Sequence, residues 1–282
     1  MNIHPDTAIG AVHLVVKDLE RSIHFYVDYL GFEILEKKKH IVSLSADGQK
    51  PLIWLEEGNG KLSENKVSDG LYHLAILVPD RTSLSLALRR LLEKNYPLQG
   101  ASDHGFSEAL YLQDPDNNGI EIYADRPRDN WPKDTSGNIT AATYPLDAEG
   151  LLKESESKTW NGLPSGTTIG HIHLHVGELS AAEHFYVDGL GFDKMFEMGR
   201  SALFLSAGGY HHHIALNTWT KAMDVMEGSG YGLKYYTIEV PDEETYNHVL
   251  ENLQNTGASV EMLADSVQVK DPFGITMKIA IA

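Results

Sequence analysis

The chain has no cysteine, which excludes disulfides, thiolate metal sites and cysteine nucleophiles. Positive charge is scarce as well: 23 Lys and Arg stand against 40 Asp and Glu, a formal net charge of −17 with no basic cluster. Nucleic acid and anionic membranes both require a basic surface, so neither is expected as a partner. No apolar run reaches the ~18 residues of a membrane span. The opening MNIHPDTAIGAVHLVV has no basic, apolar and small-residue series of a secretion signal, so a cytoplasmic location is expected.

What remains is an ordinary globular composition, 42% hydrophobic, in 282 residues, enough for two domains with a core each. Without thiolates, any metal must be held by His, Asp, Glu or Tyr, and the 14 histidines are a large supply.

The chain repeats itself. GAVHLVVKDLERSIHFYVDYLGF (10–32) returns as GHIHLHVGELSAAEHFYVDGLGF (170–192), 160 residues later, with 13 of 23 positions identical. Each copy begins with an alternating strand: Val12, Leu14 and Val16 share one face, and Ala11, His13 and Val15 the other. A helix follows, capped by Asp18 and closed by Gly31. A weaker repeat lies inside each half, where GLYHLAILVPD (70–80) and GLKYYTIEVPD (232–242) each lead into a helix and a hairpin. Four strand–helix–strands modules result, two per half.

An α+β fold of two tandem domains is therefore expected, residues 1–124 and 169–282, each a pair of βαβββ modules. Residues 125–168 are rich in Pro, Gly, Asp, Asn and Ser and read as a linker. At that length, part of it is expected to pack across a cup mouth. Trp131 reads either as a lid residue or as a plain packing aromatic.

Four βαβββ modules, with a DP-turn hairpin ending in an acid, resemble the vicinal oxygen chelate superfamily over nearly the whole chain. That superfamily includes glyoxalase I, bleomycin-resistance-type binding proteins and extradiol dioxygenases of the catechol 2,3-dioxygenase type. The resemblance implies cup-shaped mixed sheets with helices outside, and metal ligands on the first strand of each module and the last strand of the second. In the N-terminal half these positions hold His13, His73 and Glu121. Strand parity supports them, since each lies opposite the aliphatic residues Val12/Leu14, Leu74/Ile76 and Ile120/Ile122. Two imidazoles and a carboxylate suit one divalent metal, Fe(II) first, with Mn, Zn or Ni compatible with the same ligands.

DHGFSEALYLQDPDNNGIEIY (103–123) is similar to the extradiol dioxygenase signature. Tyr111, folded back beside Glu121 by the DPDNNG turn, and His104 then stand in catalytic positions next to the bound diol. Ser102 and Asn117 depart from the usual pattern, and Asn tolerates the positive φ that the turn needs. Trp54 is expected to pack on the substrate ring. The acid/base histidine that such enzymes place before the second-module strand has no counterpart in residues 41–72, and His40 is badly placed for it.

The implied activity is extradiol cleavage of a small aromatic diol by O₂, in a protein able to form a homodimer. Two alternatives remain open: a glyoxalase-like isomerase or lyase with Glu56 as a fourth ligand, and a non-catalytic binding protein of the bleomycin-resistance type. In the C-terminal half Tyr235, Lys278 and Gln268 replace His73, Glu121 and Tyr111, so its ligand set reads as degenerate. That half nevertheless holds His171, His173 and His175 on one strand face, and His211, His212 and His213 before the next strand, a candidate second metal site.

Overall fold

The computed structural model describes residues 2–58, 70–219 and 230–282. All four modules are present. The first comprises β1 (Ala8–Val16), α1 (Leu19–His24), β2 (Glu33–Lys38), β3 (Ile41–Ser45) and β4 (Ile53–Glu57); the second β5 (Leu71–Leu77), α2 (Arg81–Glu93), β6 (Gly100–Asp103), β7 (Ser107–Gln113) and β8 (Gly119–Asp125). A connecting segment contributes β9 (Tyr144–Pro145) and α3 (Ala148–Lys153). The third module comprises β10 (Thr168–His175), α4 (Leu179–Glu183), β11 (Asp193–Met198), β12 (Ala202–Ser206) and β13 (Ile214–Asn217). The fourth has β14 (Gly232–Val240), α5 (Glu243–Asn255), β15 (Val260–Met262), β16 (Val267–Lys270) and β17 (Thr276–Ile281).

The strands form two mixed sheets. One has eight strands in the order β15-β16-β17-β14-β1-β4-β3-β2, and the other nine in the order β11-β12-β13-β10-β5-β8-β7-β6-β9. The first module thus shares a sheet with the fourth, and the second with the third. By contacts the chain divides into two compact units: Met1–His13 and Lys61–Tyr72 go with Gly170–Ala282, and Leu14–Gly60 goes with His73–Ile169.

Alternation buries one face of each central strand. Val12, Leu14, Val16, Leu74, Ile76, Ile172 and Leu174 are all fully enclosed. Helices begin where sequence predicts: Asp80 and Asp242, the acids of the two VPD segments, accept from Ser83 N at 2.7 Å and Thr245 N at 2.8 Å. The repeated HFYVD segment ends its helix in a π turn both times, with Leu30 N donating to Phe25 O at 3.2 Å and Leu190 N to Phe185 O at 3.0 Å.

The same segment supplies a buried clamp in each unit. Tyr26 Oη donates to Asp114 Oδ2 at 3.1 Å, and Tyr186 Oη to Asp271 Oδ2 at 3.0 Å. The other oxygen of each aspartate holds its hairpin turn, Asp114 Oδ1 through Asp116 N and Asn118 N, and Asp271 Oδ1 through Phe273 N and Ile275 N. Burial raises both carboxyl pKa values, that of Asp271 to about 6. Asn117 takes the positive φ, 69°, that the DPDNNG turn requires.

The connecting segment docks on α2 and on a sheet edge. Ser155 Oγ lies 2.6 Å from Ser85 Oγ, Arg89 donates to the Leu152 and Ser155 carbonyls, and β9 pairs with β6. Trp131 is a packing aromatic: its indole is buried against Phe106 and donates to Arg126 O at 2.8 Å.

Candidate metal centre

β5, β7 and β8 build one wall of the site. β5 and β8 run parallel with Ala75 opposite Glu121, and β7 and β8 run antiparallel with Tyr111 opposite Glu121. Ile120 and Ile122 point into the core, which leaves Glu121 on the other face beside His73, and both are buried. His73 Nε2 lies 3.1 Å from Glu121 Oε2. Ala75 and Ala109 pack with Tyr123, and Leu77 and Tyr111 lie against this cluster.

The third member of the group is His171. One ligand atom each from His73, Glu121 and His171 lies within 4.8 Å of the other two, and all three residues are buried. A carboxylate enclosed in this way costs several kcal/mol unless positive charge or hydrogen bonds compensate it. Two imidazoles and one carboxylate fit a divalent cation and leave coordination positions open for small molecules.

Tyr111 and His104 come together as expected. His104 Nε2 is 2.7 Å from Tyr111 Oη, and His104 Nδ1 is 2.8 Å from the Ala142 carbonyl. A carbonyl only accepts, so Nδ1 carries the hydrogen, and in the neutral imidazole Nε2 is the acceptor for the tyrosine hydroxyl. The His73 and Tyr111 rings are 5.9 Å apart between centroids, which sets the pair beside the ligand group.

His13 lies on β1, in the eight-stranded sheet, where its ring packs on Tyr235 with centroids 4.8 Å apart; among the described residues it belongs to no metal-ligating group. Trp54 lies on β4 of that sheet, opposite Ser43. The first and second modules thus occupy different sheets. Glu56 is on β4 as well, opposite Ile41, which leaves the group with three protein ligands among the described residues.

The histidine-rich strand divides its labour. His171 joins the metal group, while Asn217 Nδ2 donates to His173 Nε2 at 2.9 Å and Asn217 Oδ1 accepts from His175 Nδ1 at 2.8 Å. His213 Nδ1 accepts from Ala207 N at 3.2 Å. His212 lies beside the ligand, its ring centroid 4.2 Å from that of His171, with its Nδ1 2.8 Å from His211 Nδ1. Among the described residues these histidines form no second group of three ligands. His171 was legible as a member of HIHLH, but the 160-residue offset pairs His13 with His173, one pleat away.

The fold resembles solved structures that match nearly the full chain. Glyoxalase I from Zea mays superposes with a TM-score of 0.59 at 16% identity, covering 98% of this chain and 93% of that one. The cppA protein of Streptococcus pneumoniae TIGR4 gives 0.61 at 12% identity, covering 100% and 99%. Residues 8–122 and 168–279 match the family described as Glyoxalase/Bleomycin resistance protein/Dioxygenase superfamily, and the chain belongs to it. In sequence it is similar to the Catechol-2,3-dioxygenase of Bacillus subtilis (strain 168), 47% identical over 275 residues that cover 96% of each chain.

Proposed function

We propose that the chain is an extradiol ring-cleaving dioxygenase that acts on a catechol-type aromatic diol with O₂, using one divalent metal, Fe(II), held by His73, Glu121 and His171. The observation that carries this reading is the 47% identity to Catechol-2,3-dioxygenase along 96% of the chain. The buried two-histidine, one-carboxylate group and the adjoining Tyr111–His104 pair support it. When bound, the metal supplies a Lewis-acidic, redox-capable centre at which diol and O₂ are brought together.

The protein's own groups set up proton traffic at that centre. With Nδ1–H fixed on the Ala142 carbonyl, neutral His104 accepts at Nε2 from Tyr111 Oη. When Nε2 takes up a proton it becomes the donor, and the tyrosine hydroxyl is released to donate toward a substrate oxygen. His104 is thereby the proton store, and Tyr111 the group that faces substrate. His212, beside His171, takes the acid/base role that residues 41–72 do not fill, with His211 fixing its Nδ1 side. Burial of the wall keeps bulk water from the carboxylate.

The test is anaerobic reconstitution with Fe(II), followed by catechol and ¹⁸O₂. Ring opening with both oxygen atoms of one O₂ in the product is expected. Absence of O₂ uptake with Fe(II) and with Mn(II), while a glutathione hemithioacetal is isomerised, would assign the glyoxalase-type reaction instead.

A further inference from the structure

The eight-stranded sheet carries a set of opposite charge at the strand positions of the metal group. Lys278 on β17 stands opposite Gln268 on β16 and Thr237 on β14. Glu121 occupies the same antiparallel and parallel register opposite Tyr111 and Ala75. Met277 and Ile279, on either side of Lys278 in sequence, are fully enclosed in the core, so the lysine projects from the other face and is half-buried. Its Nζ lies 3.9 Å from the centre of the Tyr235 ring, against which the buried His13 imidazole also packs.

Among the described residues Lys278 makes no ion pair with a carboxylate, and its ammonium faces an aromatic ring. Glu261 accepts from Gln268 Nε2 at 2.9 Å, and Glu239, one pleat beyond Thr237, is held close against Gly10. A partly desolvated ammonium without a counter-charge makes a local positive site in a chain whose net charge is −17. Three ammonium hydrogens, with hydroxyls at Thr237 and Tyr235, form a donor set, whereas the lysine charge opposes a metal ion.

We propose that this face binds a small planar carboxylate, its anionic group on Lys278 and its flat body beside the half-buried Tyr235 ring. One ammonium matches a monoanion, and the ring favours a flat ligand over a tetrahedral oxyanion. The site is separate from the metal group and does not depend on the ring-cleaving reading.

Calorimetric titration of the metal-loaded protein with benzoate tests it, beside Lys278→Met, which keeps the length of the chain and removes the charge. Saturable binding in the wild type, weakened at least tenfold in Lys278→Met at unchanged metal content, is expected. In the wild type, benzoate should also protect Lys278 from acetylation by acetic anhydride, read by peptide mass spectrometry, a measurement that does not depend on the variant's folding. No saturable binding, equal affinity in both proteins, binding abolished by metal removal alone, or an unprotected Lys278 would overturn the proposal.

Discussion

His104 Nε2 and Tyr111 Oη are 2.7 Å apart, and the imidazole is turned toward that hydroxyl because the Ala142 carbonyl holds its other nitrogen. The connecting segment therefore fixes the tautomer of a residue 38 positions earlier in the chain. Tyr111→Phe removes the hydroxyl while keeping the ring packed on Ala75, Ala109 and Tyr123. We expect kcat to fall by about 10²-fold, within the range for a positioned acid/base group, with metal content and KM nearly unchanged. Steady-state O₂ uptake and metal analysis on one preparation check this.

The two histidines that the repeat leaves ambiguous separate in a metal assay. His171→Ala should lose the bound metal, because it removes one of three buried ligands, whereas His13→Ala should retain it, its ring being packed on Tyr235. The reverse result would move the centre to the eight-stranded sheet.

Asp271 should leave a signature in stability against pH. Burial raises its carboxyl from the ordinary 3.8 to about 6, so between those values the folded state binds more protons than the unfolded state. Its favourable contribution is complete below pH 3.8 and is lost as pH rises through about 6. Asp271→Asn, neutral throughout, should gain stability relative to wild type as pH goes from 4 to 7, by up to about 3 kcal/mol. Urea denaturation of both proteins across that range is the measurement, and a constant difference would show that the carboxyl does not titrate there.

Gly31 closes the first helix at φ +89°, and a Cβ added there would sit 2.5 Å from the Trp160 ring. Gly31→Ala combines a left-handed backbone with that overlap and should cost about 2–4 kcal/mol in unfolding free energy. Gly137, at φ +88° with nothing within 4 Å of an added Cβ, serves as the control and should cost about 1 kcal/mol.

Much of this was legible from spacing. Alternation assigned Val12, Leu14, Leu74 and Ile76 to the core, and the DPDNNG turn placed Tyr111 across from Glu121. Periodicity describes a strand's two faces but not its neighbours, and here lay the limit. Modules with the same pattern can pair in more than one way, so nothing in GAVHLVV indicates that β1 shares a sheet with β14 rather than β5. The same limit applies to His13 and Trp54, whose strand faces are legible but whose sheet is not. The 160-residue repeat pairs His13 with His173 and so gives no signal for His171.

The clamp hydrogen bonds also bear on how the protein is made. Tyr26 reaches Asp114 across 88 positions and Tyr186 reaches Asp271 across 85, and one sheet contains both the first strand of the chain and the last. A chain growing from its N-terminus at ~5–20 residues per second must hold β1 without its neighbour β14 until Gly232–Val240 has been synthesised. The eight-stranded sheet therefore closes only when segments from both halves of the chain have been synthesised.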